Sequence, residues 1–176
     1  MTERIIIAGS GGQGVMLLGK LLAEAGMREN KFVTWLPSYG AEVRGGTSHC
    51  MVVISDEPIG SPYVEKADTL IIMNQPSLKR FQKRLTTKGL LIVNSSLVSS
   101  ATPKGIKTLR RPFTDMAIKI GNIKVANTIA LGAYLARKKT VSLRTVEQII
   151  ADRGSKAHQH LIRINQEALQ EGAKLL

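Results

Sequence analysis

Short runs of β-branched residues alternate with helical stretches along this chain, and this alternation constrains the fold more than any other feature. Such a pattern favours a mostly parallel sheet, because each parallel strand needs a crossover that a helix can supply. Near-continuous apolar runs at residues 5–7 and 70–73 indicate strands that are covered on both faces. We therefore expect an α/β fold with a mostly parallel sheet between two covering layers.

The same runs place the individual elements. Strands are predicted at residues 4–8, 31–36, 50–55, 69–73 and 90–94, with a sixth at 106–110. Helices are predicted at residues 15–25, 76–85, 114–120, 125–137, 143–152 and 157–175. Two segments, 37–48 and 95–105, are long for the connections of a compact α/β unit, and such loops are usually functional or disordered. The first is rich in specific side chains, so we expect it to be functional.

Length and composition limit the class of protein. The 176 residues, 43% of them hydrophobic, suit a single globular domain that spans residues 1–176. No apolar run reaches the roughly 18 residues that cross a bilayer, and the first residues lack the layout of a signal peptide. We expect a soluble cytoplasmic protein that does not bind membranes.

The sequence contains few residues that could bind a metal ion or an iron–sulfur cluster. Cys50 is the single cysteine, so no internal disulfide can form, and an iron–sulfur cluster normally needs four thiolates. The three histidines, His49, His158 and His160, do not have a recognisable zinc spacing. We therefore predict no metal site and no catalytic residue, and any iron–sulfur cluster that acts together with this chain must lie on another chain.

The chain carries a net charge of +12, which favours anionic partners through long-range attraction. Nucleic acid, a phosphorylated cofactor and an acidic protein are all candidates, and a merely solvated basic surface is the plainer interpretation. Aromatic residues make up only 4% of the chain and do not alternate with the basic ones, which argues against nucleic acid. Four basic residues share one predicted helix, where they form either a solvated face or a docking site for an acidic partner: Lys79, Arg80, Lys83 and Arg84.

A glycine-rich turn follows the first predicted strand and precedes the first helix. Residues 9–14 read GSGGQG and match G-x-G-x-x-G, the turn that lets a phosphate approach the backbone in Rossmann-like three-layer folds. The backbone N–H groups at the start of the helix would then form an anion site. Alternatively, the glycines only permit close packing, for example against another subunit. The candidate binding residues of this turn are Gly9, Gly11, Gly12, Gln13 and Gly14.

A nicotinamide cofactor requires one further residue that this chain lacks. Dinucleotide-binding proteins place an Asp or Glu at the end of the second strand, roughly 20 residues after the glycines. Residues 33–37 read VTWLP and contain no acid. A free-standing Rossmann-like dinucleotide enzyme is therefore the alternative interpretation and not the preferred one.

The segment at residues 39–46, YGAEVRGG, follows the second predicted strand. We expect it at the carboxyl edge of the sheet beside the glycine-rich turn, because both would follow adjacent strands. Arg44 could hold a phosphate or carboxylate, and Tyr39 offers a flat face and a hydroxyl group. Glu42 could instead pair with Arg44, or with a neighbouring chain, and make the segment a structural turn.

Four segments together resemble the gamma subunits of 2-oxoacid:ferredoxin oxidoreductases. These segments are GSGGQGV at 9–15, PSYGAEVRGG at 37–46, ADTLIIMN at 67–74 and NTIALGA at 127–133, and the second is the most specific. The resemblance covers almost the whole chain. It implies that thiamine diphosphate and iron–sulfur clusters lie on partner alpha, beta and ferredoxin-like delta subunits, with ferredoxin reached through them.

The resemblance also sets expectations for this chain. It implies that the chain packs against the thiamine-binding subunits, helps to enclose coenzyme A, and is inactive alone, and the exposed surface could form a homodimer in isolation. The undivided layout is similar to that of enzymes that act on 2-oxoglutarate, although pyruvate and branched-chain enzymes have related subunits. Asn127 completes the candidate set, where it could face the glycine-rich turn or help to cap its own helix.

Overall fold

The computed structural model describes residues 1–38, 47–153 and 159–175, which form six strands and six α-helices. The strands are β1 Thr2–Gly9, β2 Phe32–Ser38, β3 Ser48–Ser55, β4 Ala67–Ile72, β5 Leu85–Asn94 and β6 Lys107–Arg111. The helices are α1 Val15–Arg28, α2 Gln75–Phe81, α3 Phe113–Ile120, α4 Ala126–Lys138, α5 Leu143–Asp152 and α6 Gln159–Ala173. Short 3-10 turns, Gln82–Arg84 and Ile123–Val125, follow α2 and precede α4.

One sheet contains all six strands in the order β2-β3-β1-β4-β5-β6. Strands β1, β4, β5 and β6 are parallel neighbours, whereas β3 runs antiparallel to both β1 and β2. The expected α/β fold with a mostly parallel sheet is confirmed. The expectation that β1 and β2 are adjacent is wrong, because β3 folds back between them and takes the hydrogen-bonding edge of β1.

The two faces of the sheet bury alternate residues of each strand, as period-2 side-chain geometry requires. Ile5 and Ile7 face the helices α1, α3, α4, α5 and α6, whereas Ile6 and Ala8 face α2. The layer on the α2 side is thin, since irregular segments that contribute Val64 and Val98 complete it. Both layers bury the strands, and this explains the near-continuous apolar runs.

The second helix is shorter than the sequence pattern predicts. Instead of continuing to residue 85, α2 ends at Phe81 and the chain makes a 3-10 turn before β5 begins at Leu85. Leu85 pairs with Ala67 of β4, and the register then shifts before Thr69 meets Leu90. The predicted helix is therefore too long, because Leu85 pairs with β4 instead of continuing the helix.

The long connection at residues 95–105 is tightly held. Gln75 accepts hydrogen bonds from the backbone N–H groups of Ser99 and Ser100 at 3.0 and 3.1 Å, and Arg110 donates to the carbonyl oxygens of Val98 and Ser100. These contacts place this connection at the carboxyl ends of β4 and β5. Within the residues described above, no helix combines the length and the apolarity needed to cross a membrane.

Candidate functional site

The glycine-rich turn lies where β1 ends and α1 begins. Gly12 and Gly14 have φ angles of +86° and +70°, a backbone conformation that residues with a Cβ atom rarely adopt. At Gly9 an added Cβ would lie 2.6 Å from Gln13 Oε1 and 2.9 Å from Met73 Cβ. At Gly11 and Gly12, by contrast, an added Cβ would meet no atom within 4 Å. The turn therefore packs closely on its inner side and is open on its outer side.

Gln13 holds the turn in shape through both ends of its amide. Its Oε1 accepts from the Ser10 backbone N–H at 2.7 Å, and its Nε2 donates to the Met73 carbonyl oxygen at 3.1 Å. These two bonds join the turn after β1 to the end of β4. The structure thus gives Gln13 a scaffolding contact, and its role towards a ligand stays a prediction.

The Met73 carbonyl oxygen is a meeting point for two side chains. Asn94, which is fully buried at the end of β5, donates to the same oxygen at 3.2 Å and to Thr114 Oγ1 at 2.8 Å. Through these bonds the turn after β1, the ends of β4 and β5, and the start of α3 form one hydrogen-bonded floor. Sequence reasoning missed Asn94, although a polar residue directly after a buried apolar strand is a detectable signal.

Asn127 faces the glycine-rich turn, as the first of its two interpretations predicts. Its Nδ2 donates to the Gly14 carbonyl oxygen at 3.0 Å, and its side chain does not cap α4. The neighbouring Thr128 donates to Asn165 Oδ1 at 2.9 Å, and this contact links α4 to α6. Asn127 thus fixes the start of α1 from the helical layer, and it is 2% exposed.

A cleft of about 300 Å³ opens beside this floor, between the carboxyl ends of β1 and β4. This position is the topological switch point of the sheet, because β2 and β3 lie on one side of β1 and the later strands lie on the other. Open α/β sheets commonly bind ligands at such a point. We call it the edge cleft and define it by its lining residues: Ser10, Gly12, Gln13, Met73, Leu97, Thr114, Ile123, Lys124 and Ala126. Its rim combines the exposed aliphatic side chains of Leu97 and Ile123 with the cation of Lys124.

The start of α1 adds a positive partial charge near the cleft. Its first turn contains no acidic residue, and no side chain caps its backbone N–H groups among the residues that the structure describes. Unsatisfied N–H groups at a helix start attract anions. With Lys124, the edge cleft can therefore receive a partly anionic molecule, while Leu97 and Ile123 suit an apolar portion of a ligand or a partner chain.

Three predicted site residues cannot be placed, because Tyr39, Glu42 and Arg44 lie outside the described residues, as does His158. The flanking residues are described: Ser38 pairs with His49, and Ser48 pairs with Gly9. The ends of this segment therefore lie at the same sheet edge as the glycine-rich turn. The end of β2 is two strand spacings from β1, about 10 Å, and not next to it.

That displacement bears on the dinucleotide alternative. In the usual dinucleotide fold the second strand lies beside the first, so that its terminal acid can reach the ribose. Here β3 intervenes, and the residues of β2 include no acid. Both the missing carboxylate and the strand order argue against a nicotinamide site.

His49 and Cys50 point to opposite faces of the sheet, as their adjacency predicts. His49 packs against the Phe81 ring at 4.8 Å, and burial, with the nearby charge of Arg80, lowers its pKa. Cys50 lies on the α1 side, where burial raises the pKa of its thiol to about 12. A thiol that stays protonated at neutral pH is a poor nucleophile and a poor metal ligand. Among residues 1–38, 47–153 and 159–175, no three His, Cys, Asp or Glu residues cluster as a metal site would require.

Comparison with known proteins agrees with the resemblance in sequence. The sequence profile of the family described as "Pyruvate ferredoxin/flavodoxin oxidoreductase" matches residues 4–175. The ketoisovalerate oxidoreductase subunit VorA of Methanothermobacter thermautotrophicus is 41% identical over 133 residues, which cover 76% of this chain. This chain spans only 28% of the length of VorA, so VorA is a much longer protein.

Two other similar proteins match almost end to end. The 2-oxoglutarate synthase subunit KorC of Methanocaldococcus jannaschii is 36% identical over 156 residues, covering 86% of this chain and 83% of KorC. The crystal structure of the keto/oxoacid ferredoxin oxidoreductase gamma subunit from Geobacter sulfurreducens superposes with a TM-score of 0.85 at 31% identity. That superposition covers 98% of this chain and 97% of the other.

Proposed function

Because the chain belongs to the pyruvate ferredoxin/flavodoxin oxidoreductase family, we propose that it acts as the gamma subunit of a 2-oxoacid:ferredoxin oxidoreductase. In this proposal residues 1–176 form one gamma domain that binds alpha, beta and delta chains. Those chains carry thiamine diphosphate and the iron–sulfur clusters. The observation that carries the proposal is the match along nearly the whole chain to separate subunits of such enzymes.

We assign to this chain binding and packing, and not the chemical step. The buried, protonated thiol of Cys50 and the buried His49 are poorly suited to attack or to transfer a proton at the sheet edge. The side chains that reach the edge cleft are hydroxyls, an amide, aliphatic groups and one lysine. Such groups can bind and orient a molecule whose reaction takes place on a partner chain.

The edge cleft is the surface that we propose to face the thiamine-bearing chains. Leu97 and Ile123 are 47% and 57% exposed there, and permanent subunit interfaces bury such aliphatic side chains. The same surface would favour homodimers when the subunit is purified alone, since large apolar patches seldom stay in contact with water.

Coenzyme A is the ligand that we propose this surface helps to enclose. It combines anionic phosphates with a less polar arm, and the cleft combines Lys124 and the open N–H groups of the glycine-rich turn with an aliphatic rim. Arg44 would add a second positive charge from the segment at 39–46, which remains a hypothesis on sequence grounds. The empty outer side of Gly11 and Gly12 leaves room for a phosphate to approach the backbone.

For the 2-oxoacid we propose 2-oxoglutarate, with 3-methyl-2-oxobutanoate (ketoisovalerate) as the second candidate. The KorC relative supports the first, because it shares both sequence and overall length with this chain. The VorA relative supports the second by its higher identity, although the matching part is a fraction of that protein. Substrate contacts should lie mainly on partner chains, so a direct assay must decide between them.

The test is affinity purification of the tagged subunit from its own cells, followed by assay of the complex that it retains. We expect the tagged subunit to retain large thiamine- and cluster-bearing chains, and the complex to reduce viologen when both a 2-oxoacid and coenzyme A are present. The isolated subunit should be inactive. Turnover by the isolated subunit, or recovery of no oxidoreductase chain, would contradict the proposal.

The coenzyme A contact is tested with two lysines that lie close in sequence. Lys124→Glu should raise the KM for coenzyme A by about tenfold or more, since a charge-assisted contact contributes about 1.5–3 kcal/mol. The control is Lys119→Glu, which changes an exposed lysine of α3 that is not among the lining residues of the cleft. Arg44→Ala should act like Lys124→Glu if the segment at 39–46 binds the ligand. Equal KM values in all variants with intact assembly would rule out the proposed contact.

A further inference from the structure

The helix α2 and the 3-10 turn after it carry an unusual set of charges. Residues 75–84, which we call the basic segment, contain Lys79, Arg80, Lys83 and Arg84 and no acidic residue. Lys79 and Arg80 lie in the last turn of α2, and Lys83 and Arg84 lie in the 3-10 turn that follows it. The dipole of α2 favours cations at this end of the helix, and the fold thereby places four positive charges close together.

The two arginines of the basic segment are held in place by the protein itself. Arg84 donates to the carbonyl oxygens of Val64 and Glu65, and its guanidinium lies 5.1 Å from the centre of the Tyr63 ring. Arg80 donates to Thr47 Oγ1 at 2.6 Å and lies over the Phe81 ring. Both positive charges are therefore kept in fixed positions on the α2 face of the sheet.

The two lysines, in contrast, extend into solvent. Lys79 and Lys83 are exposed, and no ion pair forms between them and any carboxylate in the part of the chain that the structure describes. A third lysine reinforces them, since Lys66 Nζ donates to the Lys83 carbonyl oxygen at 3.0 Å. The basic segment thus presents two solvent-exposed ammonium groups that form no ion pair in the described part of the chain, whereas Lys66 shares its pocket with Glu65 and Asp68.

The surrounding sequence does little to neutralise this field. Asp115 is the only acidic residue between Thr69 and Val146, whereas this stretch contains 15 lysines and arginines and therefore all of the surplus positive charge of the chain. The same positive charge acts inside the protein as well. Burial is the main cause of the lowered pKa of His49, and the charges of Arg80 and Arg84 lower that pKa further. A concentrated field of one sign attracts an oppositely charged partner over distances of about a Debye length.

The chemistry of the basic segment favours a transient protein partner. Its two large apolar side chains, Leu78 and Phe81, are buried, whereas permanent interfaces expose apolar surface for the partner to cover. The exposed aliphatic groups of the edge cleft fit a permanent subunit contact, and they lie elsewhere. Weak electron-transfer encounters use small, charged surfaces of this kind. Single-stranded nucleic acid stacks on exposed aromatic side chains, but Phe81 is buried and Tyr63 already lies against Arg84.

We propose that the basic segment is a docking surface for a small acidic electron-carrier protein of the ferredoxin or flavodoxin class. Lys79 and Lys83 attract the carboxylates of the carrier and hold it beside the complex, where a partner chain supplies the electron. This inference rests on the proposed function, since an electron carrier has a reason to dock only on an oxidoreductase complex.

The test uses the assembled complex and two electron acceptors. Lys79→Glu/Lys83→Glu should lower kcat/KM for an acidic ferredoxin by about tenfold at low ionic strength, because electrostatic steering accelerates association by about 10- to 1000-fold. The difference should shrink as salt is added, since salt screens exposed charges. The rate with methyl viologen, a small cation, should not change. The matched control is Lys20→Glu/Arg144→Glu, which makes the same change in charge at exposed positions of α1 and α5.

The possible results separate this inference from the proposed function. If the double variant and its control have the same kcat/KM for ferredoxin, the docking proposal is overturned. If the double variant fails to assemble while its isolated fold is intact by circular dichroism, the basic segment is a permanent subunit contact, which also overturns it. If the unmodified complex reduces viologen with no 2-oxoacid, the proposed function itself fails.

Discussion

Asn127 donates a hydrogen bond from Nδ2 to the carbonyl oxygen of Gly14 at 3.0 Å, across 113 positions of sequence. This bond joins the start of α4 to the last residue of the glycine-rich turn. An added Cβ at Gly14 would lie only 2.4 Å from the same nitrogen. The helical layer therefore fixes the conformation of the turn that borders the edge cleft.

Replacing Asn127 should loosen that turn. Asn127→Ala removes the only side-chain donor that the structure shows for the Gly14 carbonyl within its described residues, and it leaves a gap in a buried position. We expect the free energy of unfolding to fall by about 1–3 kcal/mol in urea titrations. Asn122→Ala, which removes only a local cap on the Lys124 N–H, should cost about 1 kcal/mol or less. Equal losses would show that the contact with Gly14 adds no stability.

Replacing the glycines of the turn by alanine should lower the stability by different amounts at the three positions. Gly11→Ala should be nearly neutral, because a Cβ finds open space and the backbone does not need a positive φ. Gly12→Ala should cost about 1–2 kcal/mol for the left-handed backbone alone. Gly14→Ala combines that cost with the overlap at Asn127, so we expect about 3 kcal/mol or more.

Thermal unfolding of the three variants measures this order. Combining Gly14→Ala with Asn127→Ala should recover part of the loss, since the smaller side chain makes room for the new methyl group. A flat series, or strictly additive losses in the double variant, would contradict the geometry of the turn.

The contact between α4 and α6 depends on two other glycines. A Cβ at Gly132 would lie 2.0 Å from the Leu169 carbonyl oxygen, and one at Gly172 would lie 2.0 Å from the Ile129 carbonyl oxygen. Backbone atoms cannot rotate away, so either Gly→Ala change must push the helices apart and should cost more than about 4 kcal/mol. Gly60→Ala, where a Cβ meets nothing within 4 Å, is the control and should leave the melting temperature nearly unchanged.

Stability should decline at alkaline pH because of Cys50. Burial raises the pKa of its thiol from 9.0 to about 12, so the folded state keeps a proton that the unfolded chain releases above about pH 9. A raised pKa contributes stability that is present below the unfolded value and is lost as the pH rises towards the folded value. The loss should approach about 1.4 kcal/mol for each pH unit between 9 and 12.

Urea unfolding at pH 7.5 and pH 10 tests this expectation. Cys50→Ala should reduce the difference between the two pH values by about 1 kcal/mol, whatever its effect at neutral pH. The raised pKa of the buried Tyr134 hydroxyl contributes in the same direction, but only above its ordinary value of 10.0. An unchanged pH dependence in Cys50→Ala would mean that the thiol is accessible in the folded state.

Sequence patterns alone were sufficient to predict the kind of fold and the location of the glycine-rich turn. Alternating apolar runs and helical periods depend on neighbours a few residues apart, so residues 4–8 could be recognised as a buried strand and 15–25 as a helix without knowledge of the rest of the chain. The four characteristic segments likewise identified the family, because they are local strings of residues. The charge of the basic segment was also evident from residues 79–84.

The contacts between groups that are distant in sequence, in contrast, could not be predicted from such patterns. That β3 separates β1 from β2, that Gln13 and Asn94 share the Met73 carbonyl oxygen, and that Lys124 borders the glycine-rich turn all depend on pairing between segments far apart in sequence. The free energy of such contacts comes from the packing of the assembled sheet and helices. Neither the periodicity nor the local propensity of a segment contains information about these long-range contacts. The edge cleft could therefore be identified only from the three-dimensional arrangement of the strands.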